Sequence, residues 1–293
     1  MALNSSLSGR TRIYAVLGHP VAHSLSPAMH NPALQALGLD AHYCAFDVEP
    51  SRLLDVLHSM AHMGFGGVNL TIPHKEIAFL GLSRLADSAR LSGSVNTIRF
   101  LPNAELEGHS SDGHGLVHAL QEDLAESLAG RRVLLLGCGG AGRAAALRAA
   151  QDSASEIRLA NRSPARAERL AAEIQQRFPG IPVLCAPAWP PPPDFIHPAD
   201  LILQSTSLGM KDESEFGFCP EHFRPGQALF DMTYLQPETP FMRIARAAGA
   251  RTANGLSMLL HQGARSLEIW TGQPAPLEVM RRALRHHVYG TLP

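Results

Sequence analysis

The chain has 293 residues, 45% of them hydrophobic and 17% charged, and a formal net charge of −1. That length is too great for one small core, so two domains are the default expectation. The balanced charge excludes a global attraction to nucleic acid or anionic lipid, so any anion-binding site has to be local.

Other function classes fall away on similar grounds. No apolar run reaches the roughly 18 to 20 residues needed to cross a bilayer, so no membrane partner is expected. Residues 1–10 are polar and carry no signal-peptide core, and they read as a frayed tail. Cys44, Cys138, Cys185 and Cys219 lie far apart, without C-x-x-C or zinc spacing. This suits a reducing cytoplasm better than a disulfide scaffold. The histidines are scattered with no ligand pair among them, so no metal is expected.

Taken in chain order, the first half alternates strand-like and helix-like stretches. Residues 13–17 read as a strand ending at Gly18. Pro27 opens a helix to about Leu37, stopped by Gly38, and Pro32 inside it implies a kink. A strand over 42–48, a helix over 51–63, and strands over 67–71 and 95–100 follow. The middle is clearer. Residues 133–136 form a fully apolar strand of the kind buried in a parallel sheet. The turn Gly137-Cys138-Gly139-Gly140-Ala141-Gly142 comes next, then an alanine-rich helix over 144–150. A strand over 156–160, a helix over 164–178, and apolar strands over 181–184, 201–203 and 228–230 complete a β-α-β series. The expected fold class is therefore α/β, a Rossmann-type doubly wound parallel sheet. Trp189 and the prolines at 190–193 read as a stiff surface connection. Residues 255–293 read as two helices separated near Gly272 and Pro274.

In the glycine turn, one glycine makes the tight bend, one lets a pyrophosphate approach the backbone, and one lets helix pack on strand. The helix start supplies free N–H groups and partial positive charge. The next strand ends Ala160-Asn161-Arg162-Ser163, with Arg166 one turn on. A site for NAD(H) usually places a carboxylate here for the ribose 2′-hydroxyl. Arginines instead attract a 2′-phosphate, so NADP(H) is the expected dinucleotide. The alternative, two surface arginines at a helix start, conflicts with the helix dipole, which favours acids there.

Three polar segments in the first half stand out: Gly18-x-Pro20 with Ser24-Leu25-Ser26-Pro27, Asn69-x-Thr71-x-Pro73-x-Lys75, and Val95-Asn96-Thr97. A fourth, Ser110-Ser111-Asp112-Gly113, precedes the apolar strand. Singly, each is explained as a capped turn. Together, and in this order, they resemble the shikimate dehydrogenase family. The likeness continues through the glycine turn, Asn161-Arg162-Ser163-x-x-Arg166, Asp231-Met232-x-Tyr234, and Gly255-Leu256-x-Met258-Leu259-x-x-Gln262.

The resemblance implies reversible reduction of 3-dehydroshikimate to shikimate by NADPH. It implies that Ser24, Ser26 and Tyr234 hold the substrate carboxylate. Asn69, Thr71, Lys75, Asn96, Asp112 and Gln262 would surround the ring hydroxyls and the reacting carbon, with Lys75 and Asp112 as the catalytic pair. Gly137, Gly139, Gly140, Ala141, Gly142, Asn161, Arg162, Ser163 and Arg166 would bind the cofactor. Met232 and Gly255 would contact it near the nicotinamide, and Asp87 would lie near it. The expected partners are a small-molecule acid and no nucleic acid, the expected state monomer or homodimer. The expected domains are 1–111 with 255–293 for substrate, and 112–254 for NADP(H).

Two departures bear on activity and substrate preference. Ser110-Ser111-Asp112 stands where the family commonly has Asn-Thr-Asp, and Gln204-Ser205-Thr206-Ser207 where it commonly has Asn-Ala-Thr-Ser. The rivals are a quinate/shikimate dehydrogenase and a catalytically weak NADP(H)-binding relative. The intact Ser24-x-Ser26 pair favours shikimate, since quinate carries an extra hydroxyl near its carboxylate.

Overall fold

A computed structural model describes residues 7–206, 208 and 217–290. Residues 1–6 of the expected tail and Ser207 of the departing loop lie outside the described residues. The chain divides into two compact units, Met1–His114 with Leu260–Pro293, and Gly115–Leu259.

The described residues of the first unit hold a mixed sheet in the order β2-β1-β3-β5-β6-β4. Its strands are β1 (Arg12–Gly18), β2 (Ala41–Asp47), β3 (Gly67–Leu70), β4 (Arg84–Leu85), β5 (Thr97–Phe100) and β6 (Leu106–His109). β1 runs parallel to both β2 and β3. Flanked on both sides, it is buried from Tyr14 to Gly18, whereas β2 at the edge keeps Ala45, Phe46 and Asp47 exposed. β5 turns back antiparallel to β3 and β6. Around the sheet lie α1 (Ser26–Ala36), α2 (Leu53–His62), α3 (His74–Gly81) and α4 (Asp87–Ser92). Leu17, Leu53, Leu57, Val68 and Ile98 sit in the core beneath α2 and α3. α1 starts with Pro27 in its first turn and runs on through Pro32. α5 (Asp112–Leu124) and α10 (Leu256–Thr271) carry the chain across the unit boundaries, and α11 (Leu277–Tyr289) packs on α1.

The second unit holds β7 (Arg132–Leu136), β8 (Glu156–Ala160), β9 (Val183–Cys185), β10 (Leu201–Gln204), β11 (Ala228–Asp231) and β12 (Arg251–Asn254). They are ordered β12-β11-β10-β7-β8-β9 and all pair in parallel. Its remaining helices are α6 (Gly140–Gln151), α7 (Pro164–Arg177), α8 (Pro193–Ile196) and α9 (Pro240–Ala247). β7 explains why the sequence there is apolar throughout. Val133 and Leu135 face one core, with Leu116, Leu159 and Phe230, while Leu134 and Leu136 face another, with Ile202, Leu229 and Phe241. Alternate side chains of one strand point to opposite faces, and both faces are covered. The strand order is that of a doubly wound dinucleotide-binding sheet, whose direction reverses between β7 and β10. Ligands of such sheets bind outside the carboxyl ends at that point.

Candidate functional site

In the first unit, the sequence-predicted residues converge at the starts of two helices. Lys75 is the second residue of α3 and Asp112 the first of α5. Lys75 Nζ donates to Asp112 Oδ2 at 2.6 Å, with the side chains 31% and 15% exposed. The other carboxylate oxygen, Oδ1, accepts from Asn96 Nδ2 at 2.8 Å. Asn96 is itself oriented, because its Oδ1 accepts the Ser111 backbone N–H at 2.8 Å and the Thr97 hydroxyl at 2.9 Å. Those donors fix which end of the amide is oxygen, so Nδ2 is the end aimed at Asp112. Gln262 Oε1 reaches the same group, 3.3 Å from Asn96 Nδ2 and 3.4 Å from Ser111 Oγ.

A second row of polar groups lies beneath. Asn69 is buried on β3, and its Nδ2 lies 3.0 Å from the Asn96 carbonyl and 2.9 Å from Ser266 Oγ. Its Oδ1 accepts the Tyr43 hydroxyl at 2.7 Å. Tyr43 stacks on His30 at 4.3 Å between centroids, and the His30 ring nitrogens lie 2.9 Å from Ser26 O and 3.2 Å from Gly263 O. Contacts thus run from Ser26 to the Lys75–Asp112 pair, through His30 and its stacking on Tyr43 and then by hydrogen bonds at Asn69 and Asn96. Ser24 Oγ accepts the Ser26 N–H at 3.3 Å and so shapes the same turn. Thr71 sits where β3 ends, its N–H donating to Leu17 O at 2.9 Å and its carbonyl accepting the His74 N–H at 2.8 Å. Asp87 opens α4 in this unit and pairs with Arg90 at 2.7 Å.

His30 supplies a test of this scaffold. Complete burial outweighs its two carbonyl partners and lowers its pKa from 6.5 to about 4. The sign follows from which state takes the proton first. As pH falls below about 6.5 the unfolded chain protonates while the folded one does not, so stability present above that pH drains away until about pH 4. The gap corresponds to about 3 kcal/mol. Unfolding followed by Trp270, whose ring lies 5.9 Å from that of His30, should show this loss. His30→Gln should flatten the profile between those pH values. A variant profile parallel to the wild type would remove His30 from the acid response.

The second unit holds the glycine turn. Gly137 has φ +101°, a conformation that favours glycine, and its N–H donates to Ala160 O at 2.8 Å. A side chain at Gly142 would run into the Gly137 carbonyl, so helix and strand meet there only through glycine. Around Gly139 and Gly140, by contrast, an added Cβ would meet nothing within 4 Å. This is open space where a ligand can approach the backbone. Ala141 completes the first turn of α6, whose N–H groups have no partner within the helix. Asn161 braces the turn from the next strand: its Oδ1 accepts the Cys138 N–H and its Nδ2 donates to Ser163 O, both at 2.9 Å. Burial pushes the Cys138 thiol up to about 12, so it stays protonated.

Outside these elements lies a cavity of about 410 Å³, lined by Gly137, Gly139, Asn161, Arg162, Ser163, Arg166, Trp189, Ser205, Thr206 and Leu208. Arg162 and Arg166 are exposed, and neither side chain has an ion-pair or hydrogen-bond partner among the described residues. Open glycines, an uncapped helix start and two unpaired cations fit a phosphate-bearing dinucleotide. The Ser205 hydroxyl, 2.9 Å from Gly137 O, joins the β10 loop to the turn, and Gln204 holds the Thr206 N–H. Both contacts come from positions that depart from the family pattern. Met232 follows β11, and a side chain at Gly255 would run into its carbonyl, so the backbones meet there through glycine. Tyr234 is half-buried in the same stretch, and burial raises its pKa, keeping the hydroxyl a donor.

Several participants carry no sequence motif. His30 lies within α1 and Tyr43 on the edge strand β2, neither in a motif. Ser266 is one helical turn past Gln262, and its Oγ donates to the Gln262 carbonyl at 3.0 Å. That i, i+4 spacing was the available signal. Trp189, Thr206 and Leu208 become cavity residues only once strand order is known.

Fold and sites define an α/β oxidoreductase with a dinucleotide-type turn in one unit and a lysine–carboxylate pair in the other. The chain belongs to the shikimate dehydrogenase family. Family models match as the shikimate dehydrogenase substrate binding domain over residues 16–98, shikimate / quinate 5-dehydrogenase over 119–207, and the shikimate 5′-dehydrogenase C-terminal domain over 255–285. The chain is similar to a shikimate dehydrogenase (NADP(+)) of Geobacter metallireducens, 40% identical over 277 residues, covering 94% of this chain and 96% of the relative. A crystal structure of a shikimate dehydrogenase with NADP+ superposes with TM-score 0.88 at 33% identity, covering 98% of this chain and 99% of that one. The Thermus thermophilus shikimate 5-dehydrogenase in complex with NADP(H) and shikimate superposes with TM-score 0.82 at 36% identity, covering 94% and 99%.

Proposed function

We propose that the chain catalyses the reversible reduction of 3-dehydroshikimate to shikimate with NADP(H). The observation that carries this reading is the Lys75–Asp112 pair, held at 2.6 Å by an oriented amide network. When bound, the cofactor supplies the hydride. Reducing a ketone builds negative charge on its oxygen, and a positioned proton donor lowers that barrier. The Lys75 ammonium is that donor, and water restores its proton, since the side chain is partly exposed. Asp112 aims the ammonium through its hydrogen bond, and in the oxidative direction the lysine, its proton first passed to water, takes the proton from the hydroxyl as a free amine.

We assign Ser24, Ser26 and Tyr234 as hydroxyl donors for the substrate carboxylate, and Thr71, Asn96 and Gln262 to the ring hydroxyls. Asn69 acts from beneath, since its amide is committed to Asn96, Ser266 and Tyr43. The glycine turn holds the pyrophosphate, Arg162 and Arg166 the 2′-phosphate, and Met232 and Gly255 stand near the nicotinamide, with Asp87 also assigned to the cofactor. Ser111 keeps a hydroxyl where the family commonly has Thr, so the contact chemistry is preserved at that position. The four cysteines are free thiols, which supports a cytoplasmic location, and we assign the state as monomer or homodimer. Among the described residues, no helix is long and apolar enough to cross a membrane.

A steady-state assay following NADPH tests the reading with shikimate, quinate and their 3-dehydro partners. Turnover with shikimate well above quinate is expected, because quinate's extra hydroxyl crowds the Ser24–Ser26 turn. Faster turnover of quinate would reassign the substrate. Absence of turnover with all four would leave only a binding protein.

A further inference from the structure

In the sequence, Trp189 and the prolines after it read as a stiff connection. In the structure, Trp189 stands in the wall of the cavity that holds Gly137, Asn161, Arg162 and Arg166. We propose that the Trp189 indole binds the adenine ring of the dinucleotide by stacking, and that it sets affinity for the adenosine end. This rests on the NADP(H) reading above.

Strand order gives the side. The phosphate turn leaves β7 at the centre of the sheet, β8 lies beside it and β9 beyond β8. Arg162 and Arg166 follow β8, and Trp189 follows β9. On the other side of β7 come β10 and β11, with Met232 following β11. A dinucleotide whose pyrophosphate sits at the glycine turn places its two nucleosides on opposite sides of that turn. The arginines mark the β8 side as the adenosine side, so Trp189 faces the adenosine half.

The indole is also held ready. It meets Phe218 edge to face, with centroids 5.8 Å apart and planes at 77°. Phe218 in turn stacks on Phe223 at 6.4 Å and packs against Phe241 at 4.8 Å. A fixed aromatic face loses little freedom when a flat base covers it. Purines present a π-face to such a platform whatever their hydrogen-bonding edges.

Calorimetry on the full chain with adenosine 2′,5′-bisphosphate and with inorganic pyrophosphate tests this. Trp189→Ala should weaken the bisphosphate about tenfold and leave pyrophosphate unchanged, and Trp189→Phe should recover most of the loss. Fluorescence gives a reading independent of folding losses, since the chain has two tryptophans. Bisphosphate should quench emission in Trp270→Phe, where Trp189 alone reports, and not in Trp189→Phe. Unchanged bisphosphate affinity in Trp189→Ala, or equal weakening of both probes, overturns the assignment while leaving the cofactor reading intact. Failure of the wild type to bind NADPH or the bisphosphate overturns the cofactor reading itself.

Discussion

Replacing Lys75 with methionine is expected to lower kcat by about 10²–10⁴-fold, the usual span for losing a positioned general acid, while NADPH affinity stays within about twofold of wild type. Methionine keeps the unbranched chain and its packing, so the change is confined to one charge and the proton it carries. The proton is specifically placed. Nζ is 2.6 Å from Asp112 Oδ2, and the carboxylate is held on its other oxygen by Asn96 at 2.8 Å. The ammonium therefore does not have to be found by rotamer search when charge develops on the substrate oxygen. Asp112→Asn should be less damaging to kcat than Lys75→Met, because the lysine remains while its orientation is loosened. Single-turnover rates and NADPH binding by fluorescence separate the two effects. Wild-type kcat in Lys75→Met would take the lysine out of the chemistry, and a matching loss of NADPH affinity would mean that it holds the fold.

What the sequence discloses depends on how locally each feature is encoded. The β7–turn–α6 segment is legible because one strand contributes to two cores and must be apolar throughout, while Gly137 and Gly142 meet at a spacing that only glycine allows. β10 and β11, buried at every position and shared between the same two cores, are legible for the same reason. β4, β6 and β12 are not: β4 has two residues, and β6 (Leu106–His109) and β12 (Arg251–Asn254) each carry two or more polar side chains, leaving no apolar run to mark a strand. The starts of α3 and α5 are hidden behind the polar residues that make them functional. Helix 51–63 begins instead as a single 3₁₀ turn at Pro50–Arg52 before α2. The site divides in the same way. Lys75, Asn96 and Asp112 sit in motifs. Tyr43, His30 and Ser266 act through contacts between residues far apart in sequence, as with Asn69 and Ser266 at 2.9 Å, and no spacing rule reports such pairs.

Reversing charge at the dinucleotide cavity is expected to change cofactor choice. Arg162→Asp combined with Arg166→Ala should weaken NADPH by about 10²-fold or more, since two charge-assisted contacts are lost and a repulsion is introduced. NADH should bind equally well or better, because a carboxylate after the second strand accepts hydrogen bonds from the unmodified ribose. Both arginines lie at the start of α7, whose first turn contains no acidic residue, so nothing in that turn offsets them. They are also exposed, and their attraction for phosphate is screened by salt. The wild-type Kd for NADPH should therefore weaken between low and high ionic strength, whereas the Kd of the double variant should hardly move. The salt slope separates a lost charge contact from a collapsed cavity, because a collapsed cavity would lower NADH affinity as well. If the double variant kept the wild-type preference for NADPH, the 2′-phosphate would have to be held elsewhere. The open glycines at Gly139 and Gly140 would then account for the pyrophosphate alone.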